Sequence, residues 1–162
     1  MKGWLAVDYG TTLTDPTSPV DPRLGMRLVC PQAGAALVDV HAMDYGLVLA
    51  SNTGTTPPRQ DRQAALREAG VLELFSGIAC SADLLVAKPD PRFYRVVLAL
   101  AGAEPAQVTF VGNNLEKDVL APMSHGMRAV WVNPAPRDEQ LALLPPGVPV
   151  IAHLRELPAL LA

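Results

Sequence analysis

What most limits the folds open to this chain is a rhythm of short runs, apolar from end to end, separated by stretches of helical character. The runs are Gly3–Val7, Leu47–Ala50, Ile78–Ala79, Val108–Val111, Ala129–Val132 and Val148–Ile151. A strand with one wet face alternates apolar and polar residues, whereas these stay apolar and so need cover on both faces. Helical patterns lie between them. Pro58–Ala69 (PRQDRQAALREA) carries its charges on one face and stops at Gly70, and Pro91–Ala101 (PRFYRVVLALA) has Pro89 and Pro91 at its entrance and Gly102 at its exit. Proline at the start and glycine at the end is the order a helix prefers. A further helix is expected around Ala33–Ala42 and a short one at Leu154–Leu161. Strand–helix–strand repeats of this length predict an α/β fold, a parallel sheet with helices on both faces. In such sheets chemistry gathers at the carboxyl ends of the strands.

A chain of 162 residues, 49% apolar and 18% charged, suits one domain. It can bury roughly 70% of its unfolded surface without a disulfide or zinc staple. Cys30 and Cys80 stand apart, with no histidine at ligand spacing, which points to thiols in a reducing compartment. Thirteen Lys plus Arg against 16 Asp plus Glu gives a net charge of −3 with no basic cluster, so nucleic acid is not an expected partner. The first apolar run meets Asp8 too early for a signal-peptide core, and no run approaches the about 18 residues that span a membrane. The expectation is a cytoplasmic protein without a membrane partner, its oligomeric state open. Residues Asp15–Pro31, with Pro16, Pro19, Pro22 and Pro31, break the rhythm and read as a Pro-rich loop.

Four strand exits carry polar groups. Asp8-Tyr9-Gly10-Thr11-Thr12-Leu13-Thr14-Asp15 follows the first run, and Ser51-Asn52-Thr53-Gly54 follows the second, a turn able to hold an anion with hydroxyl, amide and backbone N–H groups. Lys88, one of only three lysines with Lys2 and Lys117, stands before Pro89-Asp90-Pro91, where a helix N-terminus already favours negative charge. Gly112-Asn113-Asn114-Leu115-Glu116-Lys117-Asp118 offers oxygen ligands for a hard cation. Each alone is an ordinary turn. By strand alternation Tyr9 points away from Asp8 and Gly10; His41, His125 and His153 read as structural or surface residues, and Asp15 and Glu116 as turn or helix caps.

Taken in order, Asp8–Asp15, Ser51, Lys88 within LLVAKPDPRFY and Gly112–Asp118 within VTFVGNNLEKD resemble the four motifs of the haloacid dehalogenase (HAD) superfamily, most of whose members are Mg²⁺-dependent phosphatases. GMRAVWVN and IAHLRELPALL are also similar to that family. The resemblance implies a Rossmann-like sheet in the order 3-2-1-4-5, with the last run as an extra edge strand, over a single domain of residues 1–162. It also implies that Asp8 attacks phosphorus to form an aspartyl-phosphate, and that Ser51, Asn52 and Lys88 hold the phosphoryl oxygens. Asp8, the Gly10 carbonyl, Asn113 and Asp118 would bind Mg²⁺, and the partner would be a phosphorylated substrate, small molecule or macromolecule.

Two positions depart from the family's pattern: Gly10 replaces the second acid of the first motif, and Asn113 the first acid of the fourth. General acid–base help is worth about 10²- to 10⁴-fold in rate. The sequence therefore leaves two main readings, a phosphatase-like hydrolase with impaired acid–base catalysis and a weak or inactive relative that binds phosphate or a partner. A dehalogenase or phosphonatase, branches that also lack this aspartate, is a third. Between Leu13 and Leu47, where many relatives insert a cap, residues 15–31 leave room only for a loop, so an open site is expected.

Overall fold

The computed structural model describes residues 1–54 and 59–162. Six parallel strands, β1 (Gly3–Val7), β2 (Tyr45–Ser51), β3 (Phe75–Cys80), β4 (Val108–Gly112), β5 (Arg128–Val132) and β6 (Val150–Ile151), form one sheet in the order β3-β2-β1-β4-β5-β6. This is the expected order, with the sixth strand at the edge. The helices are α1 (Pro31–Ala42), α2 (Arg59–Glu68), α3 (Ser81–Leu84), α4 (Pro91–Ala101), α5 (Ala121–Ser124), α6 (Asp138–Leu141) and α7 (Leu157–Leu161). The expected start of the second helix at Pro58 lies outside the described residues.

Alternation along the buried strands builds two cores. Leu5 and Val7, Leu47 and Leu49, and Ile78 and Cys80 face Leu37, Val40, Ala65, Leu66 and Leu157 of α1, α2 and α7. Ala6, Val48, Ala50 and Ala79 face Phe93, Tyr94 and Val97 of α4. Each strand is thus apolar throughout because both sides are packed. Tyr9 continues the first face, and its ring is buried among the α1 and α2 residues, away from Asp8 as expected.

Several boundaries differ from expectation. β2 extends to Tyr45 and Ser51, and β3 runs from Phe75 because Phe75 and Gly77 pair with β2, with Ser76 between them at an irregularity in the register. β6 shortens to Val150–Ile151, since Pro149 has no N–H and contributes only its carbonyl, which accepts from Trp131 N at 2.9 Å. The closing helix divides into a tight turn, Leu154–Glu156, and α7, with Pro158 in its first turn.

Residues 15–31 are ordered by local caps. Asp15 accepts from the Thr17 N–H (2.8 Å) and hydroxyl (2.7 Å), and Asp21 from Arg23 N (2.8 Å) and Leu24 N (3.2 Å), while a single bridge joins Asp21 to Met26. Met26 and Val29 are buried against the α1 side of the sheet. Asp15 acts as the turn cap expected of it; the corresponding cap at Leu115–Leu120, a wide π-type turn, is Asn114 rather than the exposed Glu116. No described helix is long and apolar enough to cross a membrane.

Candidate active site

Asp8 sits one residue beyond β1, its N–H donating to the Val111 carbonyl of β4 at 2.9 Å. Adjacent parallel strands therefore fix the height at which its carboxyl emerges. Thr11 follows in the left-handed region (φ 64°), a strained conformation for a β-branched residue, and its N–H is held by Thr14 Oγ1 at 2.9 Å. Across the sheet, Lys88 enters from the segment before α4. Its main chain is clamped by Asn52, whose Oδ1 accepts from Lys88 N (2.9 Å) while its Nδ2 donates to Lys88 O (3.0 Å). Asn52 thus also orients Lys88.

The Lys88 ammonium lies 3.1 Å from Asp8 Oδ1 and 2.6 Å from Asp118 Oδ1, and its third contact is the Ala50 carbonyl at 2.9 Å. All three protons are engaged. Asp8, Lys88 and Asp118 are only 9%, 3% and 1% exposed. Asp118 is anchored further by the Asn114 N–H on its Oδ2 (3.0 Å). The close approach explains Gly112: a Cβ there would come within 2.3 Å of Asp118 Oδ2, so no larger residue fits without moving the carboxylate.

Burial pushes the Asp8 carboxyl up to about 6, with Asp118 adding to the rise and Lys88 opposing it. For Lys88, burial disfavours the ammonium, but the two carboxylates outweigh it and its pKa is raised. A lysine compensates two acids, leaving one negative charge in a poorly solvated place. Such a site welcomes another cation.

The remaining expected groups lie around this network. Ser51 ends β2, is buried and pairs with Cys80 of β3, while its hydroxyl has no hydrogen-bond partner among the described residues. Gly10 is exposed, with nothing within 4 Å of where its Cβ would project. Asn113 is partly buried, and its carbonyl accepts from the Trp131 indole at 3.0 Å. The carboxylates of Asp8 and Asp118, both on Lys88, are hard oxygen donors of the kind Mg²⁺ prefers. The histidines stand elsewhere: His41 is exposed, His125 lies against Tyr94, and His153 Nδ1 accepts from Arg155 N at 3.0 Å.

One residue beside the site escaped the sequence reading. Arg62 of α2 is 9% exposed, its guanidinium 4.5 Å over the Tyr9 ring and its Nη1 donating to Met26 Sδ at 3.1 Å. In sequence it is one more charge on an amphipathic helix. Only the packing of Tyr9 and Met26 across it shows that it faces inward.

A family model described as haloacid dehalogenase-like hydrolase matches residues 20–126, a span that takes in Ser51, Lys88, Asn113 and Asp118 and begins after Asp8. Phosphoserine phosphatase from Thermus thermophilus is 38% identical over 109 residues, 67% of this chain and 42% of its own length. The chain thus spans less than half of that relative. A solved structure of an uncharacterized protein from Listeria monocytogenes serotype 4b superposes with a TM-score of 0.80 at 24% identity, covering 98% of this chain and 96% of that one, and bears on the fold alone. A HAD phosphatase from Thermococcus onnurineus gives a TM-score of 0.65 at 26% identity over 83% of this chain and 58% of its own. With the sheet order, the strand-end acids and a family match over more than half its length all in agreement, the chain belongs to the haloacid dehalogenase-like hydrolase family.

Proposed function

We propose that this protein is a phosphatase-like hydrolase in which Asp8 attacks the phosphorus of a phosphate ester and carries the phosphoryl group as an aspartyl-phosphate. The observation that carries the reading is the interlocked Asp8–Lys88–Asp118 network at the carboxyl ends of the strands, with Lys88 Nζ 3.1 and 2.6 Å from the two acids. A buried cation held between two carboxylates orients both. It also keeps Asp8 ionised enough to act as a nucleophile despite the burial that raises its pKa to about 6. Lys88 has no proton to spare in this arrangement, so on substrate binding it exchanges one contact for a phosphoryl oxygen. Ser51 supplies the hydroxyl for another, and Asn52 holds the lysine in place.

Asp8, Asp118, Asn113 and the Gly10 carbonyl are the groups that would hold Mg²⁺. When bound, the ion offsets the repulsion between an anionic nucleophile and an anionic phosphate. With an amide at 113 in place of an acid, its binding is weak.

Gly10 has no group to protonate the leaving oxygen or activate water. The substrates are therefore esters with good leaving groups, and hydrolysis of the aspartyl-phosphate is the slow step. The 15–31 segment takes the place of a cap in this reading: its hydrogen bonds to the rest of the chain run to Tyr9, Leu13, Gly34, Arg62, Glu68 and His153 and, among the described residues, to none of Asp8, Lys88 or Asp118. A second reading, a weak or inactive relative that binds phosphate or a partner, is favoured by the open space at Gly10.

Phosphate release from a panel of esters, with and without Mg²⁺, separates the two. The first reading expects release that requires Mg²⁺ and is lost in Asp8→Asn. Gly10→Asp, for which there is room, should raise it by about 10²- to 10⁴-fold. Release unchanged in Asp8→Asn would rule that reading out; no release by the wild type, with phosphate still bound, would support the second.

A further inference from the structure

Two side chains outside the Asp8–Lys88–Asp118 network hold the turn that follows β4, and both do so through its main chain. Between Asn114 and Asp118 the turn is closed on itself. Asp118 N donates to the Asn114 carbonyl at 2.8 Å, Lys117 N to Asn114 Oδ1 at 2.9 Å, and Asn114 N to Asp118 Oδ2 at 3.0 Å. Those bonds shape the turn but do not tie it to the rest of the molecule. Two further bonds do. The Trp131 indole of β5 donates to the Asn113 carbonyl at 3.0 Å, and the Tyr94 hydroxyl of α4 donates to the Lys117 carbonyl at 2.6 Å. One holds the start of the turn and the other its end, next to Asp118.

Both donors are themselves fixed. Trp131 is fully buried, stands opposite Gly112 in the β4–β5 pairing and shares a cluster with Val119 and Leu115 of the same turn. Tyr94 is also buried and meets Phe110 of β4 edge-on, their ring centres 5.6 Å apart. A buried indole N–H or phenol O–H always needs an acceptor. What is particular here is that both take carbonyls of one short turn, the turn that carries Asn113 and Asp118. With its carbonyl on Trp131, Asn113 keeps a side-chain amide that has no hydrogen bond among the described residues.

We propose that Trp131 and Tyr94 are positioning residues for the cation of this site. Neither would touch the ion. Together they hold the Asn113 amide and the Asp118 carboxylate in place beforehand, so that little ordering is left for binding to do. The inference rests on the reading that these two groups help to hold Mg²⁺, and adds what sets their affinity for it.

Thermal melts of the full chain, recorded from chelator through a series of Mg²⁺ concentrations, give the affinity from the rise in melting temperature with concentration. Trp131→Phe and Tyr94→Phe each remove one donor and keep a ring, and Trp4→Phe, in β1, is the control. Mg²⁺ affinity is expected to fall roughly ten-fold in Trp131→Phe, as for loss of a group behind a metal ligand, and to stay within about two-fold of wild type in Trp4→Phe. A smaller fall is expected in Tyr94→Phe, whose carbonyl belongs to the neighbour of Asp118. The melt in chelator reports separately what each variant loses in stability alone. Should Trp131→Phe fail to fold, Tyr94→Phe decides. Wild-type Mg²⁺ affinity in the folded variants overturns the inference, since a merely structural bond lowers the chelator melt and leaves the response to Mg²⁺ as it was. A fall of the same size in Trp4→Phe overturns it as well. A wild type whose melt does not respond to Mg²⁺ at all strikes the Mg²⁺ reading itself, and the inference with it.

Discussion

Among its described residues the molecule buries two cations, Lys88 and Arg62, and treats them in opposite ways. Lys88 is surrounded by Asp8, Asp118 and the Ala50 carbonyl, with each proton assigned. Arg62, as deeply buried as Asp8, has an aromatic face, a thioether and an Nε with no partner among the described residues. The first arrangement is complete without a ligand and serves to fix two acids in position. The second is incomplete, and a group left unsatisfied inside a folded protein is a place where a partner is missing.

The largest effect that tests this contrast is expected at Lys88. Lys88→Met would leave Asp8 and Asp118 buried face to face without a counter-charge. Removing one partner from a buried ionic network costs about 3–5 kcal/mol. Urea unfolding should show that loss together with loss of ester hydrolysis; a stability equal to wild type would mean the network is not holding the two acids.

A smaller loss is expected from Gly112→Ala, whose methyl would press on Asp118 Oδ2 at 2.3 Å. Overpacking of this kind costs about 1–3 kcal/mol. Because the push is on a carboxylate, it should also weaken Mg²⁺ binding measured by titration. Unchanged stability and metal affinity would show that the turn yields freely.

Asp8→Asn should move stability the other way in metal-free protein. The Asp8 pKa rises from 3.8 to about 6 on folding, so the folded state holds a proton the unfolded chain releases between those values. The stabilisation this gives is complete below pH 3.8 and is lost as the pH passes about 6. At pH 7.5 the ionised Asp8 therefore costs stability, and replacing it should gain up to about 3 kcal/mol. Thermal melts in chelator from pH 4 to 8 check this; a gain that is flat with pH would contradict it. The smallest change is expected at Arg62, where Arg62→Met removes an unpaired charge and keeps the packing, so stability should stay within about 1 kcal/mol of wild type or rise. A loss as large as that of Lys88→Met would erase the distinction between the two cations.

Most of the fold could be read from the sequence because both faces of the sheet are covered, which makes each strand interior conspicuously apolar. The ends were harder. Gly77 is a strand residue only because β2 offers it a backbone partner, and Pro149 cuts β6 short by lacking a donor. At the site, Asp8, Lys88 and Asp118 were legible as residues and come together in space, although Asp8 and Lys88 are 80 positions apart and only the sheet order joins them. The hold of Asn52 on the main chain of Lys88 was not legible, because no side-chain pattern reveals a backbone partner. Arg62 was missed for a similar reason: Tyr9 and Met26, which bury it, come from the segment around the first strand exit.

The central claim, that Asp8 is the nucleophile and that Gly10 slows the second half of the reaction, is tested most directly by rapid acid quench with a nitrophenyl phosphate in Mg²⁺, followed by mass spectrometry of the Asp8 peptide. Such an ester needs no protonation to leave, so the first step is fast and the covalent species accumulates. The account predicts a burst of nitrophenol and a phosphoryl adduct on Asp8, both absent in Asp8→Asn. Steady turnover with no adduct on Asp8, or an adduct on another residue, would contradict it.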